Sequence, residues 1–487
     1  MIPARQALYI DAHHKRLVDA LHDAHERAAL ELQLPGYLQT QRWFGGQSRS
    51  LQRASIERWV ELESGACIFV VAVTDTSGLE TQHQLYLVAG ERDGQQRAVI
   101  DALGQAAVCE ELMDLVLSGA RREDYRATLL CEPTGLDTEG CTGAARLVGV
   151  EQSNSSVVYG ERCILKVYRR LERGTNPEVE LSRYLSTEAN FAAIPPVLAT
   201  ARIESVDGYS VDALLLQRYV PNDGDGWAWA VGAATQAMGE AREPEALSGY
   251  LEAERGTLDF AAALGETTAR LHAALARATT PELGPQPVTS NDLARWTAEL
   301  RRETDETATV VEHCDANAID LLEALSRVPE APQLPMPDDA GFQMRVHGDY
   351  HLGQVLRGHD DTLYILDLEG EPARSLAERR ELRSPLVDVA GMARSLSYVA
   401  YAAARDHASE DMAAAWERIV RQRFLEAYLA AASRTEPAIL PRDEAVRDQL
   451  LAHFELRKVL YEVRYELNNR ADWLYIPAAA VRRLLGA

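Results

Sequence analysis

Lysine is all but missing from this chain: Lys15, Lys166 and Lys458 are the only three among fifty basic residues, and arginine fills every other cationic position. Where a guanidinium and an ammonium are interchangeable, this bias has erased lysine. The survivors therefore mark positions where a compact ammonium on a flexible stem must reach a fixed point, such as a nucleotide phosphate. Lys15 is the least distinctive, because it lies in a charged, helix-patterned amino-terminal stretch. A basic surplus is missing too. Fifty Lys and Arg face 74 Asp and Glu, a formal charge of −24, which removes any general attraction to phosphate backbones or anionic lipid. The expected partners are thus small molecules, with neither nucleic acid nor membrane. Cysteine is sparse and unpatterned: Cys67, Cys109, Cys131, Cys141, Cys163 and Cys314 form no CxxC pair, which argues against structural zinc and reads as reduced, mostly buried thiols. Long apolar runs are also lacking. Ala66–Val73 falls far below the ~18 residues of a membrane span, and the opening MIPARQALYIDAHHKR has no apolar signal-peptide core, so a cytoplasmic protein is expected.

What is present is the balance of an ordinary folded protein: 487 residues, 46% hydrophobic and 25% charged. Helical patterning from His13 to Leu34 is expected to stop at the breaker pair Pro35-Gly36. Strand signals follow at 55–62, 66–73 and 82–88, a helical pattern at 97–117, then strands at 145–150, 156–159, 162–168 and 213–219 with one helix over 177–187. After Pro221 alanine-rich helical periodicity dominates, interrupted by prolines at 329, 332, 335 and 337 and by a short β-hairpin signature around Val346–His347 and Tyr364–Asp367. Sheet-rich first and helical later is an α+β arrangement in two lobes.

The segment richest in chemistry is RVHGDYHLGQVLRGHDDTLYILDLEGEP, Arg345 to Pro372. Asp349 of His347-Gly348-Asp349 is followed five residues on by Gln354 and thirteen after that by Asp367. If 355–356 and 364–366 pair as a hairpin, Gln354 and Asp367 fall at neighbouring strand ends with Asp349 on the preceding loop. Phosphoryl transfer from ATP needs such a set: a carboxylate to orient the attacking hydroxyl and oxygen ligands for Mg²⁺. For a single Asp, a solvated turn is the simpler reading; the complete set at these spacings favours chemistry.

Upstream, GVEQSNSSVVYGERCILKVYRR offers a small polar turn, 152–156, whose Ser153, Asn154 and Ser155 could donate to phosphates, although alone it is an ordinary hairpin turn. Lys166 follows in an apolar strand, where its ammonium needs an anionic partner, and Glu180 in the next helix is the natural one. A strand lysine paired to a helix glutamate is the kinase arrangement. A snorkelling lysine at a strand edge is the alternative.

The chain resembles the bacterial maltokinases, in the aminoglycoside-phosphotransferase and choline-kinase branch of the protein-kinase-like fold. The resemblance rests on QRWFGG (41–46), EQSNSSVVYG and LKVYRRLERGTNPEVEL (151–181), LLQRYVPNDGDGW (215–227), HGDYHLGQVL (347–356), DLEGEPARSLAERRELRSPLVDVAGMARS (367–395) and YEVRYELNNRADWLYIP (461–477). It implies a cap subdomain over 1–95, an intermediate subdomain with the nucleotide loop and strand lysine over 96–220, and a helical C-lobe over 221–487. It further implies ATP-dependent phosphorylation of the anomeric hydroxyl of maltose, feeding α-glucan synthesis, with association with a trehalose synthase-type enzyme as an untested partner. By position, Asp349 would be the catalytic base and Gln354 and Asp367 the Mg²⁺ ligands. Lys166 with Glu180 would order the phosphates, Gln217, Tyr219 and Val220 would form the adenine hinge, and His347 and Asp388 would support the catalytic loop. Gln47, Tyr350, Leu368 and Ala471 depart from the family's usual residues, and none is a proposed ligand.

Read at 100° per residue, 456–467 places Leu456, Leu460, Val463 and Leu467 on one face and Lys458, Tyr461 and Tyr465 on the other. A sugar site needs aromatic surfaces and fixed polar donors, so this stripe with Trp473 is the sugar-site candidate, with Glu369 and Arg394 as secondary members. An amphipathic surface helix whose tyrosines merely snorkel is the competing reading. The nearest functional alternative is a kinase of glucosamine or an aminoglycoside; a non-catalytic kinase-fold binding protein is more remote.

Overall fold

The computed structural model describes residues 7–45, 50–141, 143–150, 154–314, 319–328, 334, 336, 339–405 and 408–485. Ser153, Gly46 at the end of the first motif, Gln47 and the prolines at 329, 332, 335 and 337 lie outside the described residues. The chain divides into two compact units, 1–188 with 195–221, and 189–194 with 222–487.

The first unit opens with β1 (Leu8–Asp11), α1 (Leu17–His22) and α2 (Ala24–Gln39). The antiparallel strands β2 (Leu51–Glu61), β3 (Cys67–Asp75), β4 (Glu80–Asp93) and β5 (Gln96–Asp101) complete a sheet in the order β1-β5-β4-β3-β2. Two sequence expectations fail here. Pro35 lies inside α2 rather than ending it: Leu30, Leu34, Tyr37 and Leu38 form a buried face, and that burial offsets the backbone hydrogen bond proline forfeits. Residues 97–101, expected to be helical, are strand β5, because pairing with both β1 and β4 overrides local pattern; the helix α3 begins only at Ala106 and runs to Ser118.

A second sheet, in the order β6-β7-β12-β13-β10-β9-β8, follows. It comprises β6 (Arg121–Asp124), β7 (Ala127–Pro133), β8 (Ala145–Val150), β9 (Asn154–Tyr159), β10 (Cys163–Tyr168), β12 (Val197–Glu204) and β13 (Ser210–Arg218), with α4 (Pro177–Thr187) between β10 and β12. The two-residue strand β11 (Arg170–Leu171) leaves this sheet and pairs with β4. The sheets share one core: Val60, Ile68, Val70 and Tyr86 of the first sheet with Val157, Leu165, Val197 and Leu215 of the second. One bond had no cue in residue spacing: Cys141 and Cys163, read as free thiols, are fully buried and disulfide-bonded, with Cα atoms 5.5 Å apart.

The second unit starts with β14 (Asn222–Asp225), α5 (Gly226–Ala241), α6 (Pro244–Glu254) and α7 (Gly256–Leu275). β15 (Gln286–Pro287), α8 (Ser290–Cys314) and α9 (Ile319–Ser326) lead to β16 (Phe342–Gln343) and the hairpin β17 (Val355–Gly358) and β18 (Leu363–Ile365). Residues 346–347, expected in that hairpin, are not strand; the paired segments are the later ones, where the β-branched Val355 and Ile365 sit opposite each other and are both buried. The rest is helical: α10 (Leu376–Arg379), α11 (Leu386–Ala404), α12 (Glu410–Ala432), α13 (Glu444–Asn469) and α14 (Tyr475–Leu485). α7 and α12 approach closely because residue 265 is glycine; a Cβ there would sit 2.4 Å from the Phe424 carbonyl oxygen. That approach brings His272 of α7 onto Tyr428 of α12. Among the described residues, no helix is long and apolar enough to cross a membrane.

Candidate active site

In the second unit the loop carrying Asp349 is fastened from below. Both oxygens of Asp388, on the first turn of α11, accept backbone N–H groups, His347 N at 2.8 Å and Gly348 N at 2.8 Å. Asp388 is completely enclosed, which disfavours its charge, yet the hydrogen bond from His272 Nε2 at 3.1 Å and the loop amides hold its carboxyl below the usual range. His272 is fixed in turn by the Tyr428 hydroxyl at 3.0 Å, and the His347 ring bonds the Leu366 carbonyl at 2.8 Å. The loop can lie against α11 only because residue 391 is glycine, where a Cβ would approach the Tyr350 carbonyl oxygen to 2.7 Å.

Beyond the loop, β17 and β18 pair with Val355 opposite Ile365, and Leu366 N donates to Gln354 O at 2.9 Å. This register sets Gln354 beside 366 and Asp367 next in line. Asp367 adopts a left-handed backbone, φ 53°, a conformation uncommon outside glycine and concentrated at functional sites. An oxygen of Asp367 and one of Glu369 lie within 4.8 Å of each other. Glu369, expected in the sugar pocket, does not line it and belongs with Asp367. The cause is local: two residues along the same tight turn after β18 return to one side.

α13 supplies the other wall. Its capping Asp443 accepts from Val446 N, and its inner face, Leu456, Val459, Leu460 and Val463, is buried. The outer face presents Lys458, Tyr461 and Tyr465, the two rings 6.2 Å apart and near parallel. Lys458 Nζ is 3.1 Å from Asp349 Oδ1. Burial alone would push the Asp349 carboxyl up, but the charge of Lys458, followed by His351, outweighs it and leaves the carboxyl below its usual range. Lys458 responds oppositely: burial lowers it, and Asp349 with Glu371 and Glu462 raises it above the normal lysine value. A cavity of ≈680 Å³ opens here, lined by Asp349, His351, Trp227, Tyr398, Lys458, Tyr461 and Tyr465.

Trp473 stands at its margin, its ring 6.4 Å from Tyr398 and 4.9 Å from the Arg470 guanidinium, and both neighbours line the cavity. Arg394, the other secondary sugar candidate, is displaced from the cavity. It is 1% exposed and its Nε and Nη2 both bond Glu462 Oε2, at 3.0 and 2.9 Å, so it holds a lining residue rather than a ligand. His351, Trp227 and Tyr398 were missed in the sequence. His351 was visible inside HGDYH and Trp227 inside GDGW, but neither had a spacing that tied it to chemistry.

In the first unit, Lys166 is buried in β10 and its Nζ bonds Glu178 Oε2 at 2.8 Å; the Tyr168 hydroxyl donates to the same oxygen at 2.7 Å. The expected partner was Glu180. Positions 178 and 180 are about 200° apart on a helix, and the phase of α4 is set by Asn176, whose side chain caps Glu178 N at 2.8 Å with Pro177 at the first helical position. The buried face that results contains Glu178, Val179, Leu181 and Ser182, and Glu180 lies off it, half-buried. Asn154 and Ser155, expected in a turn, are buried residues of β9, opposite Tyr168 and Val167. Pairing with β10 extends the strand back past the polar run. Gln217 pairs with Ile164 in β13 and its side chain bonds the Pro195 carbonyl at 3.3 Å; Tyr219 N donates to Arg162 O at 2.9 Å, and Val220 is buried.

A sheet-bound lysine–glutamate pair in one unit, with a pinned HGD loop and an acidic hairpin end in the other, defines a phosphotransferase of the protein-kinase-like fold. Comparison with known proteins narrows the class. Residues 37–112 match the maltokinase N-terminal cap domain family. The chain is 30% identical over 363 residues to a glucosamine kinase of Streptacidiphilus jiangxiensis, covering 71% of this chain and 76% of that protein. It is 28% identical over 405 residues to a glucosamine kinase of Mycolicibacterium smegmatis, covering 82% and 89%. A solved glucosamine kinase in complex with glucosamine, ADP and inorganic phosphate superposes with a TM-score of 0.63 at 25% identity, covering 89% of this chain and 94% of that one. The chain belongs to this family of ATP-dependent sugar kinases, in the branch that carries a maltokinase-type cap.

Proposed function

We propose that this kinase transfers the γ-phosphoryl group of ATP to the anomeric hydroxyl of a neutral sugar, maltose, giving maltose 1-phosphate for α-glucan synthesis. The observation that carries this reading is the charge state of the acceptor cavity. Its carboxylates are engaged: Glu462 by Arg394, Glu466 by the Tyr398 hydroxyl and Arg470, Asp349 by Lys458, and Asp225, at the start of α5, by the Ala228 backbone N–H. The cation beside Asp349 would oppose an ammonium substituent on the acceptor, whereas a neutral hydroxyl can accept from Lys458 and lie on the faces of Tyr461 and Tyr465. A cavity of ≈680 Å³ falls within the range for ligands of disaccharide size.

In this mechanism Asp349 accepts a hydrogen bond from the acceptor hydroxyl and aligns its oxygen for in-line attack on the γ-phosphorus. As the new P–O bond forms, the bond to the β-phosphate oxygen breaks, the hydroxyl proton passes to Asp349 and ADP leaves. Because Lys458 keeps the carboxyl weakly basic, its contribution is mainly orientation, with proton transfer late. Lys166, held by Glu178, would steady the α- and β-phosphates, and Tyr219 and Val220 would face adenine. Asp367 and Glu369 are two carboxylates within 4.8 Å, and with the amide oxygen of Gln354 from the neighbouring strand end they would make a hard, all-oxygen set of the kind Mg²⁺ takes. The ion would neutralise charge on the transferring phosphates.

The amino-sugar reading is favoured by a separate observation, the glucosamine kinases at 28–30% identity. ADP release measured with maltose, glucose and glucosamine decides between them. The expected result is a kcat/KM for maltose at least tenfold above that for glucosamine; the reverse order overturns the maltose reading and leaves the sugar-kinase assignment standing.

A further inference from the structure

The strand that carries Lys166 does not end with the second sheet. After Tyr168 it passes through Arg169 into β11, where Arg170 and Leu171 pair with His83 and Gln82 of β4. Arg169 is the pivot, and it is 2% exposed. Its backbone carbonyl accepts from Gln84 N at 2.8 Å. Its guanidinium spreads over both sheets: Nε donates to Ser155 Oγ of β9 at 2.9 Å, Nη2 to Asp101 Oδ2 of β5 at 3.0 Å, and Nη1 reaches the Gln84 carbonyl of β4 at 3.4 Å. The indole of Trp43 lies 4.7 Å from the guanidinium carbon.

An enclosed guanidinium is tolerable only with such a complement of partners. The arrangement also needs arginine, since an ammonium cannot donate in three fixed coplanar directions while stacking on an indole. Cross-strand register explains what the contact controls. Ser155 faces Val167 and Ser156 faces Lys166, so holding Ser155 fixes the segment of β9 directly alongside the lysine.

We propose that Arg169 is a positioning residue for nucleotide binding, and that Asp101 and Trp43, within the cap-family match, tune ATP affinity through it without touching ATP. The proposal rests on the reading of Lys166 and the start of β9 as the phosphate-binding elements. It predicts an effect confined to one substrate, which a general loss of stability would not produce.

The test uses the full chain, with initial rates over ATP and sugar concentrations for Arg169→Gln, Arg169→Lys, Asp101→Asn and Lys166→Met, alongside thermal melts. Arg169→Gln is expected to raise KM for ATP about tenfold with KM for the sugar within twofold. Arg169→Lys should not rescue it, and Asp101→Asn should shift KM for ATP about threefold in the same direction. Combining Asp101→Asn with Arg169→Gln should add nothing. If Arg169→Gln does not fold, Asp101→Asn carries the same comparison. An unchanged KM for ATP in folded Asp101→Asn and Arg169 variants, or equal rises for both substrates, overturns the proposal. Lys166→Met separates the two levels: if it too leaves KM for ATP unchanged, the nucleotide reading fails; if it alone raises KM, only the role of Arg169 fails.

Discussion

Asp349→Asn is expected to lower kcat by about 10³-fold, roughly 4 kcal/mol of barrier, while the protein melts normally and still binds ATP. The amide keeps the shape of the carboxylate and can still accept from Lys458, so the loop should stay in place on Asp388. With that oxygen facing Lys458, the amide turns its NH₂ to the sugar, so what is lost is the oxygen that orients the attacking hydroxyl and later takes its proton. Single-turnover rates with ATP and sugar check this, and a variant within tenfold of the parent would remove Asp349 from the reaction. The neighbouring cation gives the same idea a second readout. Lys458 outweighs burial and keeps the Asp349 carboxyl below its usual range, so the carboxylate persists into acid and the acidic limb of kcat/KM should lie low. In Lys458→Met that opposing charge is gone and burial raises the carboxyl. The acidic limb should then move to higher pH. A limb that stays in place would mean that another group governs it.

The second large effect is expected at Glu178. Removing one partner of a buried ion pair typically costs about 3–5 kcal/mol, and Glu178 Oε2 serves both Lys166 and the Tyr168 hydroxyl. Glu178→Gln should therefore lower the melting temperature by several degrees and raise KM for ATP more than tenfold. Glu180→Gln should change both far less, because that carboxylate lies off the buried face of α4. Thermal melts with and without ADP, together with ATP kinetics, compare the two directly. Equal effects would mean that the helix phase does not decide which glutamate orders the lysine.

The contrast between these glutamates shows where sequence reasoning stops. Lys166 was legible because arginine had replaced lysine almost everywhere else, and the need for a helix acid followed from burial. Which acid answers depends on the rotation of α4, fixed by the Asn176 cap and by burial against the sheet, and no spacing rule contains that angle. The hairpin beside Asp367 was legible because alternation over 355–365 is local, as was the inner face of α13. Non-local pairings were not: residues 97–101 became a strand through partners at 8–11 and 87–93, and Cys141 met Cys163 through the approach of two segments with no motif between them. Pro35 misled for a related reason, since four buried side chains on α2 outweighed one missing donor.

The path of β11 bears on how such a chain can be recombined. Because Arg170 and Leu171 complete an edge of the opening sheet, the family-matched segment is not a self-sufficient block. A chimaera spliced just after residue 112 would inherit a foreign guest strand at β4 and a foreign complement to Val60, Ile68 and Tyr86. Exchange between homologues is better joined beyond β13, so that host sheet, guest strand and pivot arginine travel together.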